Sequence, residues 1–161
     1  MPIHQTDKDA YPEDWDTISK RVRKDSGQRC EWCGVPNARV VLRVDGRGVW
    51  ALPSHDFEVD PTSRDRMAQW HDESGAQLDQ EPEGIEWPCG MDADTNLRAV
   101  RIVLTVAHLD QDPSNCARGN LAALCQRCHL NYDRQPSQRA RRQQVRLERA
   151  GQLTLFGGTS R

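Results

Sequence analysis

Four of the six cysteines stand in two Cys-x-x-Cys pairs, Cys30-Glu-Trp-Cys33 and Cys125-Gln-Arg-Cys128. Two such knuckles can supply four thiolates to one tetrahedral Zn²⁺, the arrangement of structural zinc sites. The first residues (MPIHQTDKDAYPED) contain no apolar run of the kind a secretory signal needs. The thiols are therefore expected to be reduced and metal-binding rather than disulfide-bonded. A redox pair of thioredoxin type needs a βαβ pattern around it, and neither pair has one. Cys89 and Cys116 have no near partner and read as small side chains, with Cys89 plus His55 or His71 as the alternative of a second Cys/His site. A second group of donors lies downstream. His108 ends a β-rich run, Asn120 follows a polar loop, and His129 directly succeeds Cys128. Asp133 comes four residues after His129, which on a helix puts both on one face.

Local patterns supply the elements that must position these groups. Pro12 can open a helix, and Trp15, Ile18 and Val22 form an apolar stripe over roughly residues 12–26, stopped by Gly27. Arg39 to Val44 is β-rich and ends at the turn signal Asp45-Gly46. Val100 to Val106 reads as the strongest strand and delivers His108. Residues 126–133 are expected to be helical. Ser137 to Ala150 reads as a further helix bearing Arg139, Arg141, Arg142, Arg146 and Arg149. Between the knuckles lies an odd stretch, rich in acids, with Pro53, Pro61, Pro82 and Pro88 as breaks. Its tryptophans Trp50, Trp70 and Trp87 argue for some structure of its own, because each can bury a large apolar area. A short helix from Arg64 to Trp70 is one expectation.

The text LTVAHLD followed by NLAALCQRCHLNYD resembles the HNH endonuclease family, in its branch with a four-cysteine zinc site. The likeness covers about residues 100–133 and the first knuckle. It implies an α+β protein with a ββα-metal core, an N-terminal helix, an acidic insertion and a basic C-terminal helix. It also implies an organisation: a disordered start over 1–11, an HNH domain over 12–133 with its insertion at 45–98, the basic helix 134–151 and a tail 152–161. Carried over residue by residue, it makes His108 the general base, Asn120 the residue that bridges the loop, and His129 a ligand of the catalytic cation, Mg²⁺ or another divalent ion. Phosphodiester hydrolysis needs such a pair, a base for the water and a cation for the charge on phosphate and leaving oxygen. The family usually has Asp or His before the base as a metal ligand, whereas this chain has Ala107. Asp110 and Asp133 are the candidates to complete the shell. The implied activity is DNA nicking by a monomer, in a bacterial or phage-encoded protein of the cytoplasm. The alternative is a degenerate, zinc-folded adaptor or inhibitor that binds DNA or a clamp.

The tail adds a second resemblance. Gln152-Leu153-Thr154-Leu155-Phe156 is similar to the pentapeptide with which bacterial repair proteins and polymerases dock on the β sliding clamp. Leu155 and Phe156 would fill an apolar pocket, Leu153 would pack beside them, and Gln152 would set the register.

Charge and composition place these parts. The net charge is −2, which argues against nucleic-acid binding until it is divided. Residues 55–94 carry two basic and twelve acidic side chains, residues 134–161 seven basic and one acidic. The arginines can neutralise phosphates without reading sequence. The acidic stretch can shield that surface, bind a basic partner, imitate DNA charge, or serve as a solvated spacer. Trp32, inside the first knuckle, packs on the zinc site or stacks on a base. Hydrophobic residues are 36% of the chain, against about 45–50% in ordinary globular proteins, so the core must be small. No stretch approaches the length of a membrane span.

Overall fold

A computed structural model of the chain describes residues 10–52, 69–86 and 96–151. It is mixed α+β, with three α-helices and antiparallel sheets among the described residues. Two compact units divide it: Met1–Gly27 with Thr105–Arg161, and Gln28–Leu104.

In the first unit, the Trp15–Ile18–Val22 stripe becomes helix α1 (Trp15–Asp25), whose Val22 is buried. Strands β5 (Leu104–His108) and β6 (Leu121–Cys125) pair as a two-stranded sheet. The Leu109 N–H donates to the Asn120 carbonyl (2.8 Å) and the Thr105 hydroxyl lies 3.4 Å from the Leu124 carbonyl, an antiparallel register. Every residue of β6 is buried. Its Ala-Ala centre is a poor strand former, so pairing and burial fix its conformation rather than propensity. Helix α2 (Gln126–Arg134) follows without a linker, so the second knuckle straddles the strand–helix junction. Pro136, which lacks an N–H to lose, opens α3 (Pro136–Arg149).

The second unit holds the first knuckle and a four-stranded sheet in the order β3-β2-β1-β4. Its strands are β1 (Val40–Val44), β2 (Trp50–Leu52), β3 (Gln69–His71) and β4 (Leu97–Arg101). All three pairings are antiparallel, with Leu42 opposite both Ala51 and Ala99, and Trp50 opposite His71. Leu42, Val44, Ala51, Trp70 and Leu97 form its core, with Val49, Leu78 and Ile85 against it. Full burial of a side chain of this size contributes about 1.5–3 kcal/mol.

Two expectations change. The run Val100–Val106 is not one strand, because β4 ends at Arg101 and β5 starts at Leu104. At the break, the Ile102 N–H donates to the Arg39 carbonyl and the Leu104 N–H to Asn37 Oδ1 (3.0 Å). Trp70 sits on β3 rather than on a helix; the remainder of that expected helix, residues 64–68, lies outside the described residues. So do Cys89, His55, Trp87 and the pentapeptide 152–156. Among the described residues, no helix is long and apolar enough to cross a membrane.

Candidate active site and metal centre

The metal-ligand atoms of Cys30, Cys33, Cys125 and Cys128 all lie within 4.8 Å of one another, so the four cysteines can hold a metal ion. Four sulfurs at this spacing suit tetrahedral Zn²⁺. The first knuckle is a tight turn: the Cys30 N–H donates to Val35, and the Gly34 N–H returns to Cys30 (2.9 Å). Two groups of the acidic stretch brace it. Trp50, 1% exposed, donates its indole N–H to the Cys33 carbonyl at 3.2 Å and stacks on His71. Gly75 presses against the same carbonyl, and a Cβ added there would stand 2.7 Å from the Cys33 oxygen. Gly75 is held by Asp72, whose Oδ1 accepts from the Ser74 N–H, the Ser74 hydroxyl and the Ala76 N–H. These bonds, the Ser74 hydroxyl foremost, keep the Asp72 carboxyl below its ordinary pKa. Trp32, by contrast, is 41% exposed.

His108 closes β5 and is itself buried, at 8% exposure. Its ring stacks on Trp15 (centroids 4.9 Å apart, 25° between planes) and meets Tyr11 edge-on at 5.6 Å. Tyr11, within the stretch expected to be disordered, is thus packed on the site. Nε2 of His108 lies 3.7 Å from the thiol of Cys116. Burial lowers the His108 pKa, while Asp110 and Asp112 pull it upward without winning. The imidazole is therefore neutral at neutral pH. Ala107 is buried, so the position before the histidine faces the core.

Asn120 ties the intervening loop. Its Oδ1 accepts from the Asp110 N–H (3.0 Å), and its Nδ2 donates to Asp110 Oδ1 (2.9 Å) and the Asn115 carbonyl (2.8 Å). The Asp110 carboxylate also accepts from the Asp112 N–H and from Asn115 Nδ2. Burial pushes the Asp110 pKa up, but these hydrogen bonds outweigh it and the net shift is downward. Asp110 is thus engaged inside the loop. Gln111 adopts a left-handed φ of 63°, uncommon for a residue with a side chain. Contacts on both sides hold it: its N–H donates to His108, its Nε2 to Asp133 Oδ1 (3.3 Å), and its Oε1 accepts from Arg142 Nε (3.0 Å).

His129 lies on α2 with Nδ1 2.7 Å from the Thr105 hydroxyl and Nε2 3.6 Å from Asp133 Oδ2. Burial lowers its pKa against the opposing pull of Asp133. The 3.6 Å gap is too long for a hydrogen bond. Bonds of about 2.0–2.2 Å to a common cation would separate two ligand atoms by roughly 3–3.6 Å, so the pair has a suitable spacing for one. The other Asp133 oxygen is taken by Arg142 Nη2 at 2.6 Å.

The arginines of α3 fall into two groups. Arg141 donates to the Asp110 carbonyl (3.3 Å), Arg142 bonds Gln111 and Asp133, and Arg149 pairs with Asp112. Arg139, on the same helix, is exposed. Sequence reasoning brought out His108, Asn120, His129 and Asp133. It missed Tyr11, Trp15, Thr105, Gln111 and Cys116, which no spacing rule connects to them. The order of Cys116 and His108 in the chain gives no signal that the loop folds one against the other.

Comparisons with protein-family models, with curated proteins and with solved structures yield no match to this chain.

Proposed function

We propose that the chain is a metal-dependent DNA endonuclease of the HNH type, which hydrolyses phosphodiester bonds one strand at a time. The reading is carried by one arrangement: a buried, neutral histidine at the end of β5, close enough to His129 to feel its charge, with Asp133 beside His129 and the intervening loop tied by Asn120. In this reading His108 accepts the proton of the attacking water. Asn120 fixes the backbone on either side of Asp110 and so holds His108 at the strand end. His129 Nε2 and Asp133 Oδ2 would hold a divalent cation, which when bound supplies Lewis-acid stabilisation of the phosphate charge. Asp110 serves the loop rather than the cation. Zn²⁺ on the four cysteines is structural.

The test is plasmid nicking by the zinc-loaded chain with added Mg²⁺, Mn²⁺ or Ni²⁺. Wild type is expected to nick in at least one metal, and His108→Ala to lose at least a hundredfold. No nicking by wild type in any of the three would refute the proposal. The competing reading, a zinc-folded adaptor or inhibitor, is favoured by two observations: Ala107 offers no ligand, and Arg142 occupies one oxygen of Asp133. It expects DNA or clamp binding with no strand cleavage. Docking on the β sliding clamp through Gln152, Leu153, Leu155 and Phe156 is part of either reading. It predicts that truncation after Ala150 abolishes binding to purified clamp; equal affinity of the two chains would rule it out.

A further inference from the structure

We infer that Cys116 is the positioning residue of His108: its sulfur accepts the Nε2–H hydrogen bond, fixes the imidazole in the Nε2–H tautomer, and leaves Nδ1 as the proton-accepting nitrogen. A neutral thiol carries one hydrogen, and the Pro113 carbonyl oxygen lies 3.6 Å from the sulfur, placed to accept it. A carbonyl oxygen can only accept, so that bond uses the thiol proton. The second contact of the sulfur, 3.7 Å to Nε2, must then be one in which sulfur accepts and the ring nitrogen donates. The thiol is held protonated by burial and by the negative charges of Asp14, Asp112 and Asp110, so it keeps the hydrogen that this scheme requires.

The ring cannot readily escape the assignment. Trp15 covers one face and Tyr11 abuts it edge-on, which restricts rotation about its side-chain bonds. Between them Trp15, Tyr11 and Cys116 determine both the plane of the imidazole and its proton. The identity of the orienter is unusual. A carboxylate in the same place would hold the proton more strongly and would also raise the pKa of the ring. A thiol orients the ring without adding charge, and leaves it neutral.

The inference deepens the nuclease reading, but its first test does not depend on catalysis. In zinc-loaded, ¹⁵N-histidine-labelled full-length chain in mildly alkaline buffer, long-range ¹H–¹⁵N correlation reports the tautomer of each imidazole; His108→Ala identifies the signals. His108 is expected to show the Nε2–H pattern in wild type and in Cys116→Ser, whose hydroxyl can accept the same bond, and a mixture of tautomers in Cys116→Ala. An Nδ1–H pattern in wild type, or no change in Cys116→Ala, would overturn the assignment. In the nicking assay, Cys116→Ala should lower kcat by about ten- to a hundredfold at unchanged KM, with Cys116→Ser recovering most of it. The expected tautomers without nicking in wild type would uphold the orienting role and refute only the nuclease.

Discussion

Trp15 decides how far His108 can be trusted to stay neutral. The indole lies over the imidazole and removes it from water, and loss of water is what lowers the ring's pKa against the pull of Asp110 and Asp112. The proton uptake of His108, followed by its ring resonances, is therefore expected below the ordinary 6.5, and in Trp15→Ala closer to that value. A midpoint above 6.5 in wild type would show that the carboxylates prevail. The consequence for stability follows by linkage. At pH values above the unfolded pKa both states are neutral and the burial of the ring costs nothing in protons. As pH falls below it, the unfolded chain takes up the proton first and stability declines, until the folded state is protonated too. The acid limb of nicking should fall in the same range, since only the neutral ring can accept a proton from water.

Helix α3 acts on the site as an element. Arg141, Arg142 and Arg149 meet the loop at Asp110, Gln111 and Asp112, so at least three of the five arginines that look like a DNA-binding face are engaged with the protein itself. Arg142→Ala should cost about 1.5–3 kcal/mol in thermal or denaturant unfolding, because it leaves the largely covered Asp133 carboxylate without its cation and Gln111 without a partner for its strained backbone. Arg139→Ala should leave stability within about 0.5 kcal/mol and instead flatten the salt dependence of DNA binding by up to about one unit of slope. The reverse pattern would put the phosphate contacts on the loop-facing side. This division was beyond the sequence, although the helix itself was legible: the run from Ser137 to Ala150 marks an element, while which arginine meets which acid depends on how a loop returns in space. The same holds elsewhere. Trp15, Ile18 and Val22 announced α1 through their spacing, and the helix that carries His129 was expected over residues 126–133, whereas the strand Leu121–Cys125 shows no β pattern. Trp50–Leu52 and Gln69–His71 are too short for any period to register, and exist as strands only because each pairs with a distant neighbour. Cys116 was set aside as a small side chain because its partner is three-dimensional.

For the molecule as a whole, the acidic stretch is better understood through the knuckle than through its charge. The 36% apolar content leaves little core, and a metal held by cysteines far apart in the sequence would offset that by closing a long loop of the unfolded chain. The native protein should therefore contain about one Zn²⁺ per chain, and chelation should abolish cooperative thermal unfolding; an unchanged Tm in the metal-free chain would contradict a structural role. The stretch that looked like a solvated spacer supplies both Trp50, which donates to the Cys33 carbonyl, and Gly75, whose backbone touches it. Two glycines separate this bracing from ordinary backbone strain. Gly75 and Gly84 both have a left-handed φ, 89° and 72°, so an alanine suffers conformationally at either. Only at Gly75 does the added methyl meet something, the Cys33 oxygen at 2.7 Å and its carbonyl carbon at 2.9 Å; at Gly84 there is nothing within 4 Å. Gly75→Ala must displace the backbone of a zinc ligand, and in competition with a chelator it should weaken zinc binding by about ten- to a hundredfold. Gly84→Ala should destabilise the fold by about 1 kcal/mol with zinc affinity unaltered. If the two variants lower zinc affinity equally, the acidic stretch contributes no more than its own stability, and the knuckle stands without it.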